Sequence, residues 1–200
     1  AASDVYKRQD VDVTMGNMPD GKMQIFLKGF SLPGYKREGT PTIIMRFTIY
    51  GGTIKIDGKR KKFNDRHEDA FLPYNEWGLE LLKMYIIAFK KRRLFILGES
   101  ITRTGFFGIV FSSIHLITHS HGGNHSHGFP DEASDIIYNN RIDEFNSCGI
   151  TKDLEIFKDL NSGDILPESS FKPDDNPNLK IKYNNKNYNL SSDDNESDSD

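Results

Sequence analysis

Glu76-Trp77-Gly78-Leu79-Glu80-Leu81-Leu82-Lys83-Met84-Tyr85-Ile86-Ile87-Ala88-Phe89-Lys90-Lys91-Arg92-Arg93-Leu94-Phe95-Ile96-Leu97-Gly98 decides the fold class. Leu79, Leu82, Ile86 and Phe89 recur at helical spacing, and Leu81, Tyr85 and Ala88 widen the apolar stripe. That pattern predicts a deeply buried helix over Glu76–Lys90, with Asn75 as its N-cap. The cations Lys90, Lys91, Arg92 and Arg93 stand where a helix C-terminus favours positive charge. Leu94-Phe95-Ile96-Leu97 then reads as a buried strand ended by Gly98.

Upstream, Lys22–Phe30 has the bulky apolar content of a strand, and Ser31-Leu32-Pro33-Gly34-Tyr35 suits a type II turn. Thr42–Tyr50 is rich in β-branched and aromatic residues, and Gly51-Gly52 predicts a two-residue hairpin into Thr53–Asp57. Downstream, a strand is expected within Phe106–Phe111 and a helix over Asp135–Ser147. Ile137, Ile142 and Phe145 would face inward on that helix, with Gly149 as its C-cap. Strands and two main helices in mixed order predict an α+β fold, a single compact domain with a mixed or antiparallel sheet.

The 200 residues carry 26 basic and 29 acidic side chains, a net charge of -3. Position 150 divides them. The last 50 residues hold 6 bases and 12 acids and are 24% apolar; the first 150 hold 20 bases and 17 acids and are 40% apolar. Residues 10–150 therefore read as the folded body. Residues 151–200 read as a low-complexity acidic tail, largely disordered, because so little apolar surface does not offset the entropy of ordering. Residues 1–9, Ala-Ala-Ser-Asp-Val-Tyr-Lys-Arg-Gln, resemble a translated sequencing adapter and are set aside. No apolar run approaches the roughly 20 residues that span a bilayer, so no membrane association is expected. A single cysteine, Cys148, excludes a disulfide framework and fits a reducing compartment, cytoplasmic with the nucleus as the alternative.

Three constellations could carry chemistry. Five of the six histidines, His115, His119, His121, His125 and His127, fall within thirteen positions. Their spacing suits a zinc, nickel or copper ion as well as a plain polar loop, and no metal ligand is assigned. Gly98-Glu99-Ser100-Ile101-Thr102-Arg103-Thr104-Gly105 places hydroxyls and backbone N–H groups after a strand, where phosphates or ribose hydroxyls are met. The basic runs Lys59–Lys62 and Lys90–Arg93 read as solvated faces or helix ends before nucleic-acid contacts. Cys148 has no histidine adjacent in sequence to activate it.

Read in order, these segments resemble the deltex C-terminal domain of the deltex family of RING-type ubiquitin ligases. Gly16-Asn17-Met18-Pro19-Asp20-Gly21-Lys22-Met23 is similar to that family's opening, and Ser31-Leu32-Pro33-Gly34-Tyr35 to its Leu-Pro-Gly-Tyr turn. Ala70-Phe71-Leu72-Pro73-Tyr74-Asn75, the helix and strand of Leu82–Gly98, and Ser100–Gly105 follow the same order. Ile114-His115, His127-Gly128-Phe129-Pro130-Asp131 and Glu144–Ile150 complete it.

The resemblance implies a ubiquitin ligase whose RING, absent from this chain, lies upstream, holds zinc, and recruits a ubiquitin-charged conjugating enzyme. This domain would need no cofactor of its own. It would bind ADP-ribose or NAD, or an ADP-ribosylated protein or nucleic acid, and help pass ubiquitin to a ribose hydroxyl. Carried over, Ser100, Thr102, Thr104, His115 and Phe129 would contact ADP-ribose, and His127 with Glu144 would be the catalytic pair. The stretch between Asp131 and Glu144 is about three residues longer than in the family, which leaves Asp143 as the rival acid. A role in Notch signalling is implied on the same footing. A non-catalytic ADP-ribose reader and a histidine-rich metal-binding or nucleic-acid adaptor are the alternatives.

Overall fold

A computed structural model describes residues 13–99, 102, 105–123, 128–129, 134–183 and 186–190. Strands β1 (Gly21–Lys28), β2 (Thr42–Ile49), β3 (Gly52–Ile56), β4 (Lys59–Phe63) and β5 (Arg66–Pro73) precede helix α1 (Glu76–Lys90). Then come β6 (Phe95–Glu99), β7 (Phe107–Phe111) and α2 (Ser134–Ser147). The chain continues through α3 (Glu155–Asp159), α4 (Ser162–Ile165), β8 (Glu168–Phe171), β9 (Lys180–Tyr183) and β10 (Lys186–Asn189). The architecture is α+β. Among the described residues every strand pair is antiparallel: a four-stranded sheet ordered β5-β2-β1-β8 and three two-stranded ribbons, β3-β4, β6-β7 and β9-β10.

α1 forms where its stripe predicts, and the stripe is buried from Leu81 to Phe89 but for Lys83. The Asn75 carboxamide oxygen accepts from the Gly78 N–H at 2.9 Å, which supplies one of the orphan amides of the first turn. Residues 43, 45, 47 and 49 of β2 turn inward together, as a period of two requires, and Phe47 meets Phe89 at 5.9 Å and Phe95 at 5.7 Å. These contacts fasten α1 and β6 to the inner face of the sheet. The turn before β2 is also as read: Tyr35 N–H donates to Leu32 O at 3.0 Å, and Gly34 sits at φ 83°.

Three expectations are corrected. Gly51-Gly52 is not a hairpin turn, for β3 pairs with β4 through Asp57-Gly58, at φ 49° and 78°. The glycines serve close approach instead: a Cβ on Gly51 would stand 2.5 Å from Phe63 O, and its N–H donates to Asp65 at 2.5 Å. The run Lys90–Arg93 is not simply a solvated helix end. Arg92 is 4% exposed and adopts φ 59°. Its guanidinium donates to Asp174 O at 2.8 Å, Met18 O at 2.8 Å and the Asp20 carboxylate at 2.5 Å. Third, the stretch after Ile150 is built into the fold as far as it is described. β8 pairs with β1 from Met23↔Phe171 to Phe26↔Glu168, and Leu154, Ile165 and Ile181 are buried in the main core. The average composition misleads because these few apolar side chains enter a core that the first 150 residues already make. Residues 1–9 and 191–200 lie outside the described residues. Among the described residues no helix is long and apolar enough to cross a membrane.

Candidate active site

Beyond β7 the chain runs along the free edge of β5, where Phe71 N–H donates to Ile117 O at 3.0 Å. Ile114, Leu116 and Ile117 are buried there, while His115 points outward with 63% of its side chain exposed. α2 stands beside this segment. Its Phe145 packs edge-on against Tyr85 of α1 at 4.9 Å, and its Tyr138 hydroxyl donates to Glu80 of α1. Gly149, at φ 79°, ends the helix, with Ile150 N–H closing onto Phe145 O at 2.9 Å.

Glu144, in the last turn of α2, meets His115. One carboxylate oxygen lies 2.5 Å from the imidazole Nδ1, and the other accepts from the His115 backbone N–H at 2.9 Å. That second oxygen also accepts from Arg141 Nη1 at 2.7 Å. The Tyr85 hydroxyl donates to the His115 carbonyl at 2.6 Å. Burial pushes the Tyr85 phenol well above its ordinary range, with the Glu144 charge adding to it and the Arg141 charge opposing. Tyr85 is therefore a neutral donor at physiological pH. Because a carboxylate only accepts, Nδ1 carries a ring hydrogen, and in the neutral imidazole that leaves the lone pair on Nε2. An exposed imidazole fixed in that tautomer is a group that takes a proton from an approaching hydroxyl.

Of the two acids left open by the sequence, Glu144 is the one that meets a histidine among the described residues. Asp143 is exposed, and its carbonyl accepts from the Ser147 hydroxyl at 2.8 Å. Phe129 is 2% exposed in a second apolar cluster with Leu32, Ile117 and Ile137, its ring 6.3 Å from Tyr35 and nearly perpendicular. It supports the site's wall and shows little surface to a ligand. Gly128 before it admits no side chain, since a Cβ would stand 2.0 Å from His121 O. Thr102 is exposed between β6 and β7. Ser100, Thr104 and His127, together with His125, lie outside the described residues. The rings of His119 and His121 reach the neighbouring Thr118 and Ser120 hydroxyls at 3.3 and 3.0 Å. Among the described residues no three His, Cys, Asp or Glu side chains gather as metal ligands.

Sequence reasoning missed Tyr85 and Arg141. Tyr85 was absorbed into the helical stripe, although a buried phenol needs a partner for its hydroxyl. Arg141 was legible as the cation three residues before Glu144 on one helix face.

A family model described as the Deltex C-terminal domain matches residues 15–150. The chain belongs to this family. The resemblance drawn from its ordered motifs is borne out. Human E3 ubiquitin-protein ligase DTX1 is 29% identical over 139 residues, which cover 68% of this chain and 22% of that protein. Mouse E3 ubiquitin-protein ligase DTX4 is 29% identical over 143 residues, 70% of this chain and 23% of that protein. The chain spans about a fifth of the length of these curated relatives. Elements α3 to β10 follow the residues that the Deltex C-terminal domain model matches.

Proposed function

We propose that this Deltex C-terminal domain works within a ubiquitin ligase, binding ADP-ribose, NAD or an ADP-ribosylated target and assisting ubiquitin transfer to a ribose hydroxyl. The observation that carries the reading is the exposed His115 imidazole, held by Glu144, in a chain whose relatives are named ubiquitin ligases. Transfer to an alcohol needs such a group. The hydroxyl oxygen attacks the carbonyl of the ubiquitin thioester, and the imidazole takes the hydroxyl proton. The C–S bond then breaks as the ester forms, and the departing thiolate of the conjugating enzyme recovers the proton. Positioned acid–base groups are worth about 10²–10⁴ in rate.

The resemblance implies His127 in this role with Glu144, whereas the described geometry gives Glu144 to His115. Ser100, Thr102 and Thr104 remain the candidates for ligand hydroxyl and phosphate contacts. The partner would be a ubiquitin-charged conjugating enzyme recruited through a zinc-binding RING elsewhere in the protein, and the setting would be cytoplasmic or nuclear.

Titration calorimetry with ADP-ribose tests the first half; absence of heat at millimolar ligand would end the proposal. Fusing a RING from a deltex relative and measuring ubiquitylation of ADP-ribose tests the second half. An unmodified fusion that binds but never transfers would leave a non-catalytic reader. His115→Ala and His127→Ala then divide the roles, since the base is the one whose loss stops transfer while binding survives. Transfer that persists in both variants would sink the acid–base reading.

A further inference from the structure

The connection between β6 and β7 carries Ser100, Thr102 and Thr104, and the strand pair at its base is Glu99↔Phe107. Tyr183, the last residue of β9, touches both members of that pair. Its hydroxyl donates to a Glu99 carboxylate oxygen at 3.0 Å, and its ring meets the Phe107 ring edge-on at 5.4 Å. Lys61 of β4 completes the cluster. Its ammonium donates to the Tyr183 hydroxyl at 3.3 Å and lies over the Phe107 and Tyr183 rings at 4.4 and 4.8 Å. The direction of this chain is fixed, because an ammonium only donates and a carboxylate only accepts. Lys61 gives to Tyr183, and Tyr183 gives to Glu99.

We propose that Tyr183 is a positioning residue for the ADP-ribose contacts of this connection, holding the Glu99 carboxylate and bracing Phe107 so that the extension sets ligand affinity. The proposal rests on the reading of Ser100, Thr102 and Thr104 as ligand contacts. Glu99 is the single acid in the sequence from Gly98 to Phe107. An unheld carboxylate beside a turn that takes a diphosphate repels the ligand. Tyr183 holds it with a charge-assisted hydrogen bond backed by the Lys61 cation. Tyr183 lies beyond residues 15–150, which the family model matches, so this hold is supplied from outside the matched domain. A merely structural tyrosine, packed to close the ribbon, would act on stability and be indifferent to the charge at Glu99.

The test is titration calorimetry of the full chain with ADP-ribose. Tyr183→Phe keeps the ring on Phe107 and loses only the hydroxyl, so it should melt like the parent and bind about fivefold more weakly. Adding Glu99→Gln to Tyr183→Phe should restore the parent affinity, because the freed group then carries no charge. Tyr188→Phe is the control. Its hydroxyl belongs to the same ribbon but donates to Asp57 at 3.1 Å, and its loss should leave affinity unchanged. Tyr183→Ala, which removes the brace as well, should bind more weakly than Tyr183→Phe.

A folded Tyr183→Phe that binds as tightly as the parent overturns the proposal. So does a loss that Glu99→Gln fails to restore, or an equal loss in Tyr188→Phe. Should Tyr183→Phe fail to fold, Lys61→Met decides, since it removes the cation behind the same hydroxyl, and parent affinity in that variant also overturns the proposal. The two readings fail separately. If the parent binds no ADP-ribose, the functional reading falls, and the hold is read from the Thr102 and Gly105 amide resonances of the free chain. These should shift in Tyr183→Phe and stay in place in Tyr188→Phe; unmoved resonances in both remove Tyr183. Ligand binding that is untouched by Tyr183→Phe removes Tyr183 while the functional reading stands.

Discussion

Two helix ends in this molecule carry opposite charges with opposite lessons. At the C-terminus of α1, Arg92 is a cation where the dipole favours one, buried and satisfied by two carbonyls and a carboxylate. At the C-terminus of α2, Glu144 is an anion where the dipole disfavours one, yet it is held half-buried against an exposed histidine. Where charge obeys the local rule, it joins distant segments: Arg92 ties Met18 and Asp20 to Asp174. Where charge breaks the rule, it marks the place where chemistry is expected. The contrast predicts that α1's end governs stability and α2's end governs activity.

The largest effect is expected from removing what Arg92 holds. Ending the chain at Ile150 deletes Leu154, Ile165 and Ile181 from the core, at about 1.5–3 kcal/mol for each buried side chain. It also strips β8 from β1. The sum rivals the roughly 5–15 kcal/mol of a whole domain, so residues 1–150 should lack a cooperative unfolding transition in calorimetry. A chain 1–150 that melts like the parent would show the last elements to be ornamental. Arg92→Ala comes next. It leaves the Met18 and Asp174 carbonyls without their donor, at about 1–3 kcal/mol for each acceptor left unmet, while the Asp20 carboxylate, 75% exposed, returns to water. Urea unfolding measures it, and transfer by the RING-fused variant should follow the fraction folded.

How much of this was legible in the sequence follows the range of the interactions. α1, the Pro33-Gly34 turn and the capping by Asn75 depend on neighbours within one turn, and the pattern states them. The β3-β4 ribbon escaped because β4 is the run Lys59–Lys62, whose charges hide its pairing, and because Gly51-Gly52 imitates a turn. The extension after Ile150 escaped because its apolar residues make no pattern of their own. In the site, His115 and Glu144 were each singled out in separate roles, and their contact spans 29 residues; His127, the partner that the resemblance implies for Glu144, lies outside the described residues. No spacing rule gives which histidine of five a helix will face.

Tyr85→Phe tests the shared ground between the two ends, since α1 supplies both Arg92's helix and the donor to His115. Losing the hydroxyl leaves the half-buried His115 carbonyl short of a partner and should cost about 0.5–1.5 kcal/mol in urea unfolding. The pH dependence has a definite sign. Burial raises the Tyr85 pKa above its unfolded value of about 10. Its contribution is therefore complete below that pH and declines as pH rises toward the folded value. The parent should lose stability more steeply than Tyr85→Phe in alkaline solution. Parallel curves would show that the phenol does not stay protonated in the fold.

Glu144→Gln should change stability least, by about 1 kcal/mol or less, and decide most. The amide keeps an oxygen for Arg141 or the His115 N–H, and it removes an anion that the helix dipole opposes by about 0.3–1 kcal/mol. What it does not keep is an acceptor at both positions. Its NH₂ would face Nδ1, the ring would carry its hydrogen on Nε2 to accept from it, and the lone pair proposed to receive the substrate proton would be gone. Transfer in the RING-fused protein should then fall by about 10²–10⁴ while the melting curve barely moves. Glu144→Gln that unfolds like Arg92→Ala would make α2's end a second structural clamp and erase the contrast. An unaltered melt with lost transfer would establish that this carboxylate is retained for the imidazole it orients, at a helix end where electrostatics alone would have placed a cation.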